Sequence, residues 1–120
     1  MTANTTASRK QKGRNLQKLV AKAIQDTLSL SELDVRSTSM GAGGVDVQLS
    51  SKAVEAFPYA VECKCVEKVN LWEAWTQANA HAVNESNKLR TTVQPLLVIK
   101  KSHKKPIVVI DFDHFMELVK

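Results

Sequence analysis

Two runs in the second half of the chain, Gln94-Pro95-Leu96-Leu97-Val98-Ile99-Lys100 and Pro106-Ile107-Val108-Val109-Ile110-Asp111-Phe112, limit its architecture more than any other stretch. Both are short, almost continuously apolar and rich in branched residues. Successive side chains on a strand point to opposite faces, so runs of this kind are expected of strands covered on both sides. The basic stretch Lys101-Ser102-His103-Lys104-Lys105 between them reads as a hairpin turn. Helices are then needed to cover the sheet, and three segments have the pattern for it. From about Gly13, apolar residues recur at three- and four-residue intervals as Leu16, Leu19, Val20, Ala23, Ile24 and Leu28. Asn70 with Glu73 forms a capping box ahead of a helix over residues 71–83, fraying near Asn84 to Asn87. Asp113 is expected to cap a closing helix that carries Phe115, Leu118 and Val119.

Earlier in the chain, Val45-Asp46-Val47-Gln48-Leu49 alternates as a strand does, and Tyr59-Ala60-Val61-Glu62-Cys63-Lys64-Cys65 reads as its partner. Asp34 to Ser39 is a short extended approach to a loop, Met40 to Gly44, that holds three of the four glycines. Glycine lets a ligand come close to the backbone, but no helix follows as it would in a nucleotide-binding loop. Ser50 to Pro58 fits either a helical turn or a broad hairpin connection. The expected fold is α/β, a single domain with a central mixed sheet of about five strands flanked by helices. Residues 1–12 are expected to be a flexible basic arm and 13–120 the folded domain.

A chain of 120 residues with 43% hydrophobic content can bury one core. No apolar run nears the roughly 20 residues that cross a bilayer, and the polar start lacks the apolar segment of a signal peptide, so a cytoplasmic protein is expected, with no membrane partner. Cys63 and Cys65 occupy alternate strand positions, poorly placed to bond to each other, and read as buried reduced thiols. The net charge of +5 is concentrated in two places. Arg9, Lys10, Lys12, Arg14, Lys18 and Lys22 crowd the beginning, and Lys100, Lys101, Lys104 and Lys105 form the second cluster. Such clusters suit the phosphate backbone of DNA, although a solvated basic surface would look the same.

On paired strands Glu62 and Lys64 share one face, and Asp46 lies on the corresponding face of the neighbour. Two carboxylates and an amine would converge. That is the minimum equipment for cutting a phosphodiester with a divalent metal: Asp46 and Glu62 as ligands, the backbone carbonyl of Cys63 as a third oxygen, and Lys64 to orient water or offset charge at the phosphate. The bland alternative is an exposed strand edge with no catalytic role. Gln77 and His81 stand one turn apart on the second helix, with His81 expected to pack or bond near Gln77. Trp72 and Trp75 are expected in the core or at a dimer contact. Asp111, Asp113 and His114 are explained by a strand end followed by a helix cap.

The sequence Ser39-Met40-Gly41-Ala42-Gly43-Gly44-Val45-Asp46, then Val61-Glu62-Cys63-Lys64, then a helix with Gln77, resembles the PD-(D/E)XK nuclease superfamily. Within it the chain is most similar to small phage and archaeal Holliday junction resolvase-like endonucleases, a likeness that Lys12-Gly13-Arg14 and the Arg36 to Ser39 approach also fit. The resemblance implies a restriction-endonuclease-like core and magnesium, or manganese in its place, held by Asp46 and Glu62. It further implies a catalytic Lys64, support from Gln77, products bearing a 5′-phosphate and a homodimer acting on branched DNA. Arg9, Lys10, Lys12, Arg14, Lys18, Arg36 and Ser39 are the expected DNA contacts. Gln17 stands where resolvase relatives often carry a glutamate, and Val45 where a proline often precedes the aspartate. The alternatives are a nicking or repair nuclease, or a basic DNA-binding or packaging accessory protein without activity.

Overall fold

In a computed structural model that describes residues 6–38 and 44–120, the elements follow as α1 (Thr6–Leu28), β1 (Val35–Ser37), β2 (Val47–Leu49), α2 (Ser51–Ala56), β3 (Tyr59–Cys65), α3 (Leu71–Leu89), β4 (Gln94–Lys100), β5 (Ile107–Val109) and α4 (Phe112–Val119). The α/β class and the bounds of β3 and β4 match the sequence expectation. Among the described residues no helix is long and apolar enough to cross a membrane.

The expected sheet of about five strands is instead two sheets. β1 and β2 form an antiparallel pair, while β3, β4 and β5 form a mixed sheet, parallel between β3 and β4 and antiparallel between β4 and β5. The reason lies where the two sheets touch. The Asp46 N–H donates to the Val61 carbonyl at 2.9 Å, a first rung between them. The next donor on β3, the Cys63 N–H, goes to Asp46 Oδ2 at 2.7 Å. A side-chain carboxylate has taken the donor that a longer ladder would use, and β2 diverges into α2. Ser50 caps α2 by accepting from the Ala53 N–H at 3.1 Å, so the segment before β3 is a helical turn.

Helix α1 starts at Thr6, so residues 6–12 of the expected arm are helical. Arg9, Lys10, Gln11 and Lys12 are good helix formers, and a lone glycine at position 13 costs only about 1 kcal/mol. The Gln11 side chain adds hydrogen bonds to Asn15 (2.8 Å) and from Arg14 (3.0 Å). Gln25 donates to the Val35 carbonyl at 2.7 Å and ties α1 to β1. Helix α3 runs through the expected fraying region to Leu89, because Ser86 Oγ accepts from the Val93 N–H (3.0 Å) and Arg90 closes the helix in the left-handed conformation.

The three-stranded sheet is covered on one side by α1 and on the other by α3. Leu16, Val20 and Ile24 of α1 pack with Val35, Val47, Val61 and Val98. Ala74 and Ala78 of α3 sit over Leu97, and Trp75 packs beside them. Alanines on this face let α3 approach the sheet closely. Trp72, by contrast, is 76% exposed and is no core residue.

Strand β5 corrects the expectation of strands covered on both faces. It spans three residues, and Ile107 (59%) and Val108 (57%) are exposed, because it lies at the sheet edge and α3 reaches only Val109. Asp111 ends the run and is the cap of α4, accepting from the His114 N–H at 3.0 Å. Asp113, expected as that cap, lies in the first turn, where its charge still suits the helix N-terminus.

Candidate active site

Strand β3 sorts its side chains cleanly. Val61, Cys63 and Cys65 pack toward α1, whereas Ala60 packs against Ala82 of α3, and the alternation carries Glu62 and Lys64 to that same side. Asp46 enters at the β3 edge, where the Cys63 N–H holds its carboxylate. In an extended strand the N–H and C=O of one residue point the same way, so the Cys63 carbonyl shares that edge with Asp46. The structure thus brings Asp46, Glu62, Lys64 and the Cys63 backbone together.

Glu62 is only 5% exposed, and its Oε2 lies 2.5 Å from His81 Nδ1 on α3. Burial, and after it the neighbouring Asp46 carboxyl, push Glu62 up to about 8, while Lys64 pulls it the other way. Gln77 is exposed one turn before His81 and lines a cleft with Lys64 at the start of α3. Two residues have roles at this site that the sequence does not show. His81 orients Glu62, and its spacing from Gln77 on one helix face was the available signal. Thr38 is buried, donates from Oγ1 to the Val45 carbonyl (2.8 Å) and from its N–H to the Asp46 carbonyl (2.8 Å), and so positions the backbone that carries Asp46.

Gln17 is buried on the α1 side of the sheet, away from the face that bears Glu62 and Lys64. Asp111 and His114 serve structure: the first caps α4, and the second meets the Tyr59 hydroxyl at 2.7 Å.

The basic residues divide. Lys12 reaches Ser102 Oγ at 3.4 Å, which joins the basic start of the chain to the β4–β5 turn. Arg9, Lys10 and Lys18 are exposed along α1. Arg36 pairs across the strands with Gln48 at 3.1 Å. Ser39 and most of the glycine loop, residues 40–43, lie outside the described residues.

No family model, curated protein or solved structure matches the chain.

Among the described residues no three His, Cys, Asp or Glu side chains are grouped to hold a metal ion. Two carboxylates and a backbone carbonyl nevertheless fit a hard cation of the magnesium type, which keeps several waters. The Cys63 thiol does not belong to that set: it packs toward α1, and burial followed by the two carboxylates pushes it far above its ordinary range. A carboxyl held near 8 must lose its proton to accept a cation. Magnesium affinity measured by calorimetry should therefore rise about tenfold per pH unit from 6 to 8 and level off above it. Equal affinity at pH 6 and pH 8 would contradict this account of Glu62.

Proposed function

We propose that this protein is a magnesium-dependent DNA endonuclease that hydrolyses phosphodiester bonds, selective for branched DNA. The observation that carries the reading is the convergence of Asp46 and a buried Glu62 beside Lys64 at the point where β2 leaves β3. Asp46, fixed by the Cys63 N–H, and Glu62, fixed by His81, would present oxygens to the ion together with the Cys63 carbonyl. Bound magnesium would supply Lewis acidity and a water activated near neutral pH. Lys64 would orient that water and offset negative charge developing on the phosphate. Gln77, on the same cleft wall, would steady Lys64 or the phosphate. The exposed lysines and arginines of α1 would grip the DNA backbone without reading bases.

Cutting both strands of a branch needs two such sites, so we propose a homodimer. Helix α4 supports it: Phe112, Phe115, Met116, Leu118 and Val119 are all exposed on a helix with no buried residue. Phe115→Lys should halve the mass read by light scattering and leave the fold intact. An unchanged mass would place the second copy elsewhere or rule it out.

The substrate class is tested with labelled four-way junction, linear duplex and single-stranded DNA, each with magnesium. Junction cleavage at least tenfold faster than duplex cleavage is expected. Equal rates would remove the branch selectivity, and binding without any cleavage would favour a DNA-binding accessory protein.

A further inference from the structure

Beyond Lys64 the sheet continues into a feature that hydrolysis alone does not use. Register sets Lys64 beside Ile99 on β4 and Ile99 beside Ile107 on β5, so the three lie in one row on the face that bears Glu62. Past the catalytic lysine this row becomes the floor of an open cleft of about 560 Å³, which Val66 and Val69 complete. Val66, Val69 and Ile107 are exposed aliphatic side chains, an unusual grouping for a surface that no described residue covers. The rim is strongly basic, with Lys100, Lys101, Lys104 and Lys105 joining Lys64. None of these lysines takes part in an ion pair found among the described residues. Glu67, the acid in the wall, is held by the Ser102 N–H at 2.9 Å.

An apolar floor inside a rim of ammonium groups that form no ion pair among the described residues fits a ligand with a flat, poorly hydrated body and phosphates on either side. We infer that this cleft receives an unpaired nucleotide of the DNA strand, its base on the aliphatic floor and its flanking phosphates on the lysines. The inference rests on the nuclease reading and deepens it. Neighbouring strands are spaced roughly 5 Å apart, so the cleft lies within a nucleotide or two of a phosphate held at Lys64. In a continuous duplex the bases are stacked and cannot reach the floor. Extruding one requires unstacking and unpairing it, which is easiest where pairing is already broken. The cleft thereby offers a physical source of selectivity for branched or interrupted DNA that needs no base-specific hydrogen bond.

The test uses the full chain in metal-free buffer with a duplex that carries one unpaired 2-aminopurine, beside the same duplex fully paired. Among the described residues the cleft walls hold aliphatic and lysine side chains and Glu67, with no aromatic ring, so seating the probe removes stacking partners without adding one. Its fluorescence should rise severalfold on binding, and the paired control should not change. Ile107→Asp, at an exposed edge position, should abolish the rise while duplex affinity stays within twofold. The Lys104→Glu/Lys105→Glu pair, also exposed, should weaken binding of the unpaired probe at least tenfold. Bound probe that stays dark, or a rise that survives Ile107→Asp, would overturn the inference. So would a halved solution mass for Ile107→Asp, because a second copy would then fill the cleft. Brightening without cleavage on adding magnesium would refute the nuclease reading and leave the cleft standing, whereas cleavage without brightening would refute the cleft alone.

Discussion

Glu62→Gln should abolish cleavage and at the same time make the metal-free protein more stable at alkaline pH. The expected loss of rate is about 1,000-fold or more, because a metal ligand contributes several kcal/mol to the transition state. The stability gain follows from the environment of the carboxyl. Burial, then Asp46, raise Glu62 in the folded state from 4.5 to about 8. Folding therefore favours its protonated form. The stability this contributes is fully present below about pH 4.5 and is lost as pH rises through 8. A glutamine keeps an oxygen for His81 to bond and never ionises. Lys64 and nearby solvent temper the effect, so about 2 kcal/mol is expected at pH 8.5, or a rise in melting temperature of roughly 5–10 °C. At pH 5 the two proteins should melt together. A variant that melts lower than the wild type at pH 8.5 would mean that Glu62 is held charged rather than neutral.

Leu97→Ala should destabilise the fold by about 3–4 kcal/mol, a substantial share of what a domain of this size has. Leu97 is fully buried at the centre of β4, directly beside Glu62 in the strand register, and Ala74 and Ala78 of α3 lie over it. The two alanines that lie over Leu97 have no long side chains with which to fill the space. The cavity would persist and loosen the helix that carries His81. Urea unfolding should show a lower midpoint with an unchanged slope. A cost under 1 kcal/mol would mean that α3 collapses onto the sheet, and that packing against β4 is not what sets its position.

How legible this molecule is from its sequence depends on the reach of each interaction. The apolar run of β4 and the alternation of β3 are local patterns, and both strands have the expected bounds. Their alternation alone was enough to place Glu62 and Lys64 on one face. The split of the sheet was not legible, because it turns on the Asp46 carboxylate taking the Cys63 N–H, a contact 17 residues apart in sequence. The same holds for His81, whose partner Glu62 lies on another element. Exposure of β5 was hidden for a related reason: an apolar run shows that both faces could be covered, not that a helix exists to cover them. The start of α1 lies ahead of Gly13 because the residues before that glycine favour helix.

The most direct measurement is the single-turnover cleavage of a labelled four-way junction by wild-type protein and Asp46→Ala, each with magnesium and with EDTA. If Asp46, Glu62 and Lys64 form a metal-dependent hydrolytic site, the wild type cuts only with magnesium. Asp46→Ala should then bind the junction but cut it at least about 1,000-fold more slowly. Cleavage that survives in EDTA or in Asp46→Ala, or a wild type that binds the junction and never cuts it, would contradict the account.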